Sequence, residues 1–168
     1  MALAYDAMVF AREAHKDQRR KYTGNPYSDH LAEVAGIVAA AELPNPDQSL
    51  IEQMVAVSWL HDTAEDTAVT LEEIERRFGF MVAVGVSGLT DIETGNRAER
   101  KAKSRDRLTR CAGWIQTIKV ADLISNTSSI VENDPKFAVV YLEEARLLLD
   151  VLTRADPRLV EIARSQCR

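Results

Sequence analysis

The sequence predicts an all-α fold, a single bundle of helices, and three observations predict it. The 168 residues include only 7 Gly and 5 Pro, too few to punctuate a strand-and-turn protein. Long stretches are rich in Ala, Leu, Glu and Arg, which favour helix. Apolar residues recur at helical spacing in one segment after another, with short connections between them. At 46% hydrophobic and 28% charged the chain is globular, not disordered. Its length suits one domain over residues 1–168 around one core.

The elements follow in order. Ala4, Met8, Ala11 and His15 set a first amphipathic helix. Gly24 and Pro26 make residues 18–27 a loop. Asp29 can cap a second helix, which runs through His30, Val34, Ile37 and Val38 to about Ala41. Pro44 and Pro46 then break the chain. A third helix starts near Asp47, and its apolar stretch 54–60 runs into His61-Asp62. Thr70 and Glu73 have the spacing of a capping box. The helix it opens carries Leu71, Ile74 and Phe78 on one side and stops at Gly79. Residues 81–89 are a short apolar run that periodicity leaves open between strand and helix. Beyond a basic segment, 114–130 reads as a buried helix broken by Pro135. Residues 141–152 form a helix with Leu142, Ala145, Leu149 and Leu152 on one face, and Pro157 sets off a short terminal helix.

Composition narrows the function. Two cysteines are too few for a disulfide framework, which points to a reduced, cytoplasmic setting. No signal peptide or membrane span is visible. A net charge of −5 gives no global reason to expect a nucleic acid polymer or an anionic membrane as partner. Residues 96–110 nevertheless hold seven basic residues against two acidic ones. That patch suits a small anion, or is simply a solvated helix face. The Leu-rich helix 141–152 serves either a core or an interface, so homo-oligomerisation stays open.

Chemistry concentrates around the histidines, of which the chain has three. His61-Asp62 ends an apolar helical stretch. Helix neighbours point about 100° apart, so both side chains can reach one ion between them. Imidazole with carboxylate suits Mn, Fe, Zn or Mg. Read alone, such a doublet is more often a chance dipeptide or a capping pair. Glu65 and Asp66 follow at four-residue spacing from His61 and Asp62. Extra carboxylates beside a metal are useful when a water must be oriented or deprotonated. Asp122 sits in the apolar run Ile118-Lys-Val-Ala-Asp-Leu-Ile, where it needs a partner. Asn126, Lys119 or a neighbouring helix can supply one. Together His30, His61, Asp62 and Asp122 offer two imidazoles and two carboxylates, a complete ligand set with room for water.

Four blocks carry a family resemblance. They are Ala14-His15 … Gln18-Arg-Arg-Lys … Gly24-Asn-Pro-Tyr27 … His30; Trp59-Leu-His-Asp62 … Glu65-Asp-Thr67 … Thr70 … Ile74 … Phe78-Gly79; Val86-Ser-Gly-Leu-Thr90; and Ile118-Lys-Val-Ala-Asp122 … Asn126. In this order they resemble the hydrolase domain of RelA/SpoT-type alarmone enzymes, over about residues 3 to 150, and the chain length resembles the stand-alone small alarmone hydrolases. The resemblance implies an all-helical HD bundle, in some members with a small β-hairpin, and so implies helix for 81–89. It implies one Mn²⁺ held by His30, His61, Asp62 and Asp122, with Glu65 and Asp66 orienting the water. The implied reaction removes pyrophosphate from the 3′ position of (p)ppGpp and leaves GDP or GTP. Arg20 and Lys21 match, to within one position, an Arg-Lys pair near base and phosphates. Asn126 matches a residue near the nucleoside. Arg97, Arg100 and Lys101 in the basic segment are further candidates for phosphate contacts.

Leu31, Leu123 and Ser125 depart from the family's usual residues, although none is an implied metal ligand. They leave room for other readings: an NADPH 2′-phosphatase or nucleotidase on the same scaffold, or a nucleotide-sensing module without turnover. The acidic pair argues against the sensor, which has no use for it. Nothing in the chain resembles a synthetase or regulatory domain, so alarmone synthesis is not expected.

Overall fold

The computed structural model describes residues 3–43 and 47–168, and the fold is all-α, as expected. Among the described residues there are ten helices: α1 (Leu3–Ala14), α2 (Ser28–Ala39), α3 (Gln48–Leu60), α4 (Thr63–Asp66), α5 (Leu71–Phe78), α6 (Phe80–Leu89), α7 (Arg97–Arg110), α8 (Gly113–Asn133), α9 (Pro135–Leu149) and α10 (Pro157–Gln166). The run 81–89 is helical, in α6. The break expected at Pro44 and Pro46 lies outside the described residues. In place of a stranded hairpin, the loop 18–27 holds one isolated antiparallel bridge between Arg19 and Pro26. No helix among the described residues is long and apolar enough to cross a membrane. The chain divides into two compact units, one up to Thr90 and one from Asp91 onward.

In the first unit α3 packs against α1, α2 and α6. It buries Met54, Ala56, Val57, Ser58 and Leu60, more than one face, as a helix with neighbours on several sides must. Truncating Met54 or Leu60 to Ala would cost about 2–5 kcal/mol. Ala7 and Ala11 are fully buried and let α1 approach closely, while Ala4 and Met8 are only half-buried. Asp29 does not cap α2. The turn at Pro26-Tyr27 already closes the backbone, with His30 N–H donating to Tyr27 O at 3.0 Å, so the helix begins at Ser28. Asp29 sits in the first turn instead, where its carboxylate faces the positive end of the helix dipole. The Thr70 hydroxyl accepts from Glu73 N–H at 3.2 Å, as the spacing predicts. The Glu73 carboxylate, however, accepts from Arg77 Nε at 3.0 Å, so the salt link displaces the reciprocal half of the box.

In the second unit α8 packs against α9 and α10. A full capping box opens α7: Asn96 Oδ1 accepts from Glu99 N–H, and Glu99 Oε2 from Asn96 N–H, each at 3.0 Å. At its other end, Gln116 Nε2 donates to Leu108 O at 3.0 Å and Arg154 Nη2 to Thr109 O at 2.9 Å, satisfying carbonyls that a helix terminus leaves open. Gly113 starts α8 against the carbonyl of Arg154, where any Cβ would collide. Pro135 starts a helix as well as following one. Asp134 Oδ1 accepts from Phe137 N–H at 3.1 Å, and Pro135 takes the first turn, where its missing N–H is harmless. The helix stops at Leu149, so the buried Leu152 lies in the turn beyond it.

Candidate functional site

The end of α3 delivers His61 and Asp62 into a short break before α4. His61 Nε2 lies 3.0 Å from Asp62 Oδ2. From α2, His30 Nε2 comes within 3.6 Å of the same oxygen, and the two imidazoles meet edge to face with centroids 5.3 Å apart. Both histidines are almost fully buried. His61 Nδ1 is 2.8 Å from the carbonyl of Ser58. A carbonyl only accepts, so Nδ1 carries the proton and Nε2 keeps its lone pair in the neutral ring. Two imidazole nitrogens converging on one carboxylate oxygen, with the tautomer of one fixed from behind, form a donor set that suits a divalent cation.

Asp66 closes the turn after this cluster, its N–H donating to Asp62 O at 2.9 Å. Partial burial of the carboxyl, in a residue otherwise exposed, pushes it above the usual carboxylate range. The Asp62 charge adds to that push, and His15, Tyr27 and His61 partly offset it. Glu65, one residue earlier in α4, is exposed as well. The four-residue spacing of these acids from His61 and Asp62 suits one continuous helix face, but they do not continue the helix that leads to His61. The α-helix ends at Leu60 and restarts at Thr63, so α4 is a separate turn.

The second unit has a cavity of about 150 Å³. Successive turns of α8 present Lys119, Asp122 and Asn126 to it. Lys119 Nζ donates to Asp122 Oδ2 at 2.9 Å and Asn126 Nδ2 to Asp122 Oδ1 at 2.7 Å, so both oxygens of this buried carboxylate are engaged. From α7, Lys101 Nζ stands 3.6 Å from Asp91 Oδ2. Arg97 meets Glu144 of α9 at two points and lies over the Phe137 ring, 5.1 Å from its centroid. Tyr141 also lines the cavity, its phenol pushed well up by burial and by the Asp122 charge. Charged groups matched in pairs and set in partly apolar walls can hold a polar, anionic small molecule.

The structure thus brings His30, His61 and Asp62 together in the first unit. It puts Asp122, Asn126, Arg97 and Lys101 around the cavity of the second. Arg100 is exposed and does not line that cavity. Arg20 and Lys21 occupy the 18–27 loop, where Lys21 Nζ donates to the Tyr22 hydroxyl at 3.2 Å. Tyr27, Asp91 and Glu144 are polar members that sequence reasoning missed. Tyr27 stands one helical turn before His30, a signal that could have found it. Glu144 lies 47 residues from Arg97 and has no such signal.

Comparison with known proteins supplies the remaining step. A family model described as HD domain matches residues 7–133. The chain belongs to the HD domain family. This HD domain is 32% identical over 136 residues to guanosine-3′,5′-bis(diphosphate) 3′-pyrophosphohydrolase MESH1 of Danio rerio, covering 80% of this chain and 73% of that protein. Its identity to MESH1 of Xenopus tropicalis is 35% over 136 residues, with the same coverage. To the GTP pyrophosphokinase rsh of Brucella melitensis it is 32% identical over 146 residues, but that match covers only 18% of the longer protein. Among solved structures, a metazoan ortholog of SpoT that hydrolyzes ppGpp matches with a TM-score of 0.86 and 26% identity, over 99% of this chain and 94% of its own. The resemblance carried by the four sequence blocks is borne out.

Proposed function

We propose that this HD domain is a metal-dependent 3′-pyrophosphohydrolase of (p)ppGpp, working as one domain across residues 1–168. The observation that carries the reading is the convergence of His30 Nε2 and His61 Nε2 on Asp62 Oδ2, with His61 Nδ1 pinned by Ser58 O. Kinship with MESH1 supplies the substrate, and the family match, running from residue 7 to 133 through both units, supports the single domain. Asp122 is the fourth ligand in this reading, with Mn²⁺ the ion. A cation on Asp122 would take over from the Lys119 ammonium the neutralising of that buried carboxylate.

When bound, a divalent ion supplies Lewis acidity, lowering the pKa of a water and neutralising a phosphoryl oxygen. The chain's own residues do the rest. Glu65 and Asp66 accept hydrogen bonds from the attacking water and hold it in line with the bond between the 3′ oxygen and phosphorus. Water oxygen joins phosphorus, that bond breaks, and the departing 3′ oxygen takes a proton. The products are pyrophosphate and GDP or GTP. Arg20, Lys21, Arg97, Arg100 and Lys101 spread the phosphate charge, and Asn126 contacts the nucleoside. A cytoplasmic location fits a free nucleotide substrate and two free cysteines.

The test is to strip the protein of metal, resupply Mn²⁺, add ppGpp, and follow products by anion exchange. GDP plus pyrophosphate only with metal is expected. No turnover of ppGpp, with release of phosphate from NADPH, would replace the substrate and keep the scaffold.

A further inference from the structure

The third histidine and the Pro-Tyr loop are not absorbed by the proposed chemistry, yet they are built into the cluster. The Tyr27 hydroxyl donates to Asp62 Oδ2 at 2.7 Å, the oxygen on which both imidazoles converge. One face of the Tyr27 ring stacks on His15, centroids 5.1 Å apart at 21°, and the ring meets the His30 edge at 5.6 Å. His15 is itself buried and held twice. Its Nδ1 is 2.7 Å from Gln18 Oε1, and its Nε2 is 3.4 Å from the Thr63 hydroxyl. Gln18 then reaches the Asp66 backbone, Nε2 donating to its carbonyl at 2.7 Å, and Gln18 O accepts from Tyr27 N–H at 3.0 Å.

We infer that Tyr27 is a positioning residue: stacked on His15, it aims the Asp62 carboxylate at His30 and His61 and so sets the metal affinity of the site. A carboxylate oxygen has two lone pairs. With one accepting from Tyr27, the other remains for an ion between Oδ2 and the imidazole nitrogens, and the hydrogen bond restrains the carboxylate from swinging away. A hydrogen bond of this kind behind a metal ligand restricts its orientation before the ion arrives. The aromatic contacts restrain the hydroxyl, because the ring cannot turn off His15 without losing that stack and its edge contact with His30. His15 is then a support two contacts away from Asp62, and Gln18 locks the support to the turn that carries Asp66. The inference rests on the metal reading of the cluster.

The experiment compares wild type and Tyr27→Phe for Mn²⁺ binding by calorimetry and for the visible spectrum of the Co²⁺-loaded protein. Thermal unfolding is measured on both without metal. Phe keeps the stack and loses only the hydroxyl. Mn²⁺ affinity is expected to fall about 10–100-fold, with altered Co²⁺ bands and a metal-free melting temperature close to wild type. Affinity within about twofold of wild type would overturn the inference. So would an affinity loss matched by a loss of metal-free stability, since Tyr27 would then only support the fold. His15→Phe, which retains a ring for Tyr27 to stack on, is expected to bind Mn²⁺ more tightly than His15→Ala, and equal affinities would count against the supporting stack. Failure of wild type itself to bind Mn²⁺ would overturn the metal reading, a result distinct from any of these.

Discussion

The guanidinium of Arg97 closes a two-point fork on Glu144, Nε to Oε1 at 2.7 Å and Nη2 to Oε2 at 2.8 Å. Two effects of that fork oppose one another when an anion binds nearby. Holding the arginine still spares about 0.5–1.5 kcal/mol of side-chain ordering. Against this, a carboxylate roughly 5 Å from an incoming phosphate repels it by about 3 kcal/mol per charge at a near-surface effective dielectric of about 20, less after salt screening. The charge term is larger. Glu144→Gln is therefore expected to bind GDP about tenfold more tightly, with a steeper salt dependence, in a fluorescence titration. Weaker binding would show that preorganisation dominates.

Removal of a metal ligand separates binding from turnover. His61→Ala is expected to lose bound metal and ppGpp hydrolysis together, and Asp122→Ala to do the same. Glu65→Ala should retain metal yet lose on the order of 100-fold in turnover. Metal content by elemental analysis, beside the rate, distinguishes them. Wild-type metal content and activity in Asp122→Ala would remove that residue from the ligand set.

Asp91 makes the second unit sensitive to acid. Burial pushes its carboxyl up, but Lys119, the Ser104 hydroxyl, Lys101 and Arg107 together outweigh burial and hold it below the usual value. A depressed folded-state value stabilises above the unfolded carboxyl value of about 3.9, and that contribution is lost as pH falls through the folded one. Wild type should therefore exceed Asp91→Asn in urea midpoint near about pH 7, with the difference shrinking toward about pH 2. A pH-independent difference would sink the assignment.

Gly113 is required by space. Its Gly113→Ala variant would drive a methyl group into the Arg154 carbonyl, and should lose about 1–3 kcal/mol of stability in urea unfolding. An unchanged midpoint would mean that the backbone at Arg154 yields freely.

The helices were legible in the sequence because period and punctuation agreed: Asp47 caps α3, Gly79 stops α5, and Pro157 opens α10. Errors arose where a local signal had a stronger competitor. Glu73 was drawn to Arg77 and away from its own cap, and the Pro26-Tyr27 turn started α2 before Asp29 could. Within the candidate site, His30, His61 and Asp62 could be named from the sequence, because imidazoles and acids in apolar helices are few. Their convergence could not, since it depends on how α2 lies against α3. Glu144 was invisible for the same reason: a glutamate on an exposed-looking helix acquires meaning only from the arginine brought opposite it.

The loop 18–27 separates two requirements that usually conflict. Its base is zipped by Tyr27 N–H to Gln18 O at 3.0 Å and Arg20 N–H to Asn25 O at 2.8 Å, and Gly24 at φ 71° turns the tip. Residues beyond the Arg20–Asn25 rung can be lengthened, shortened or recoded without shifting the register that presents Tyr27. The tip, with Lys21 and Tyr22, is thus free to diverge while the base stays closed. The base is a fixed mount, so sequence change can gather in a few residues at one end of a closed loop while the presentation of Tyr27 is kept.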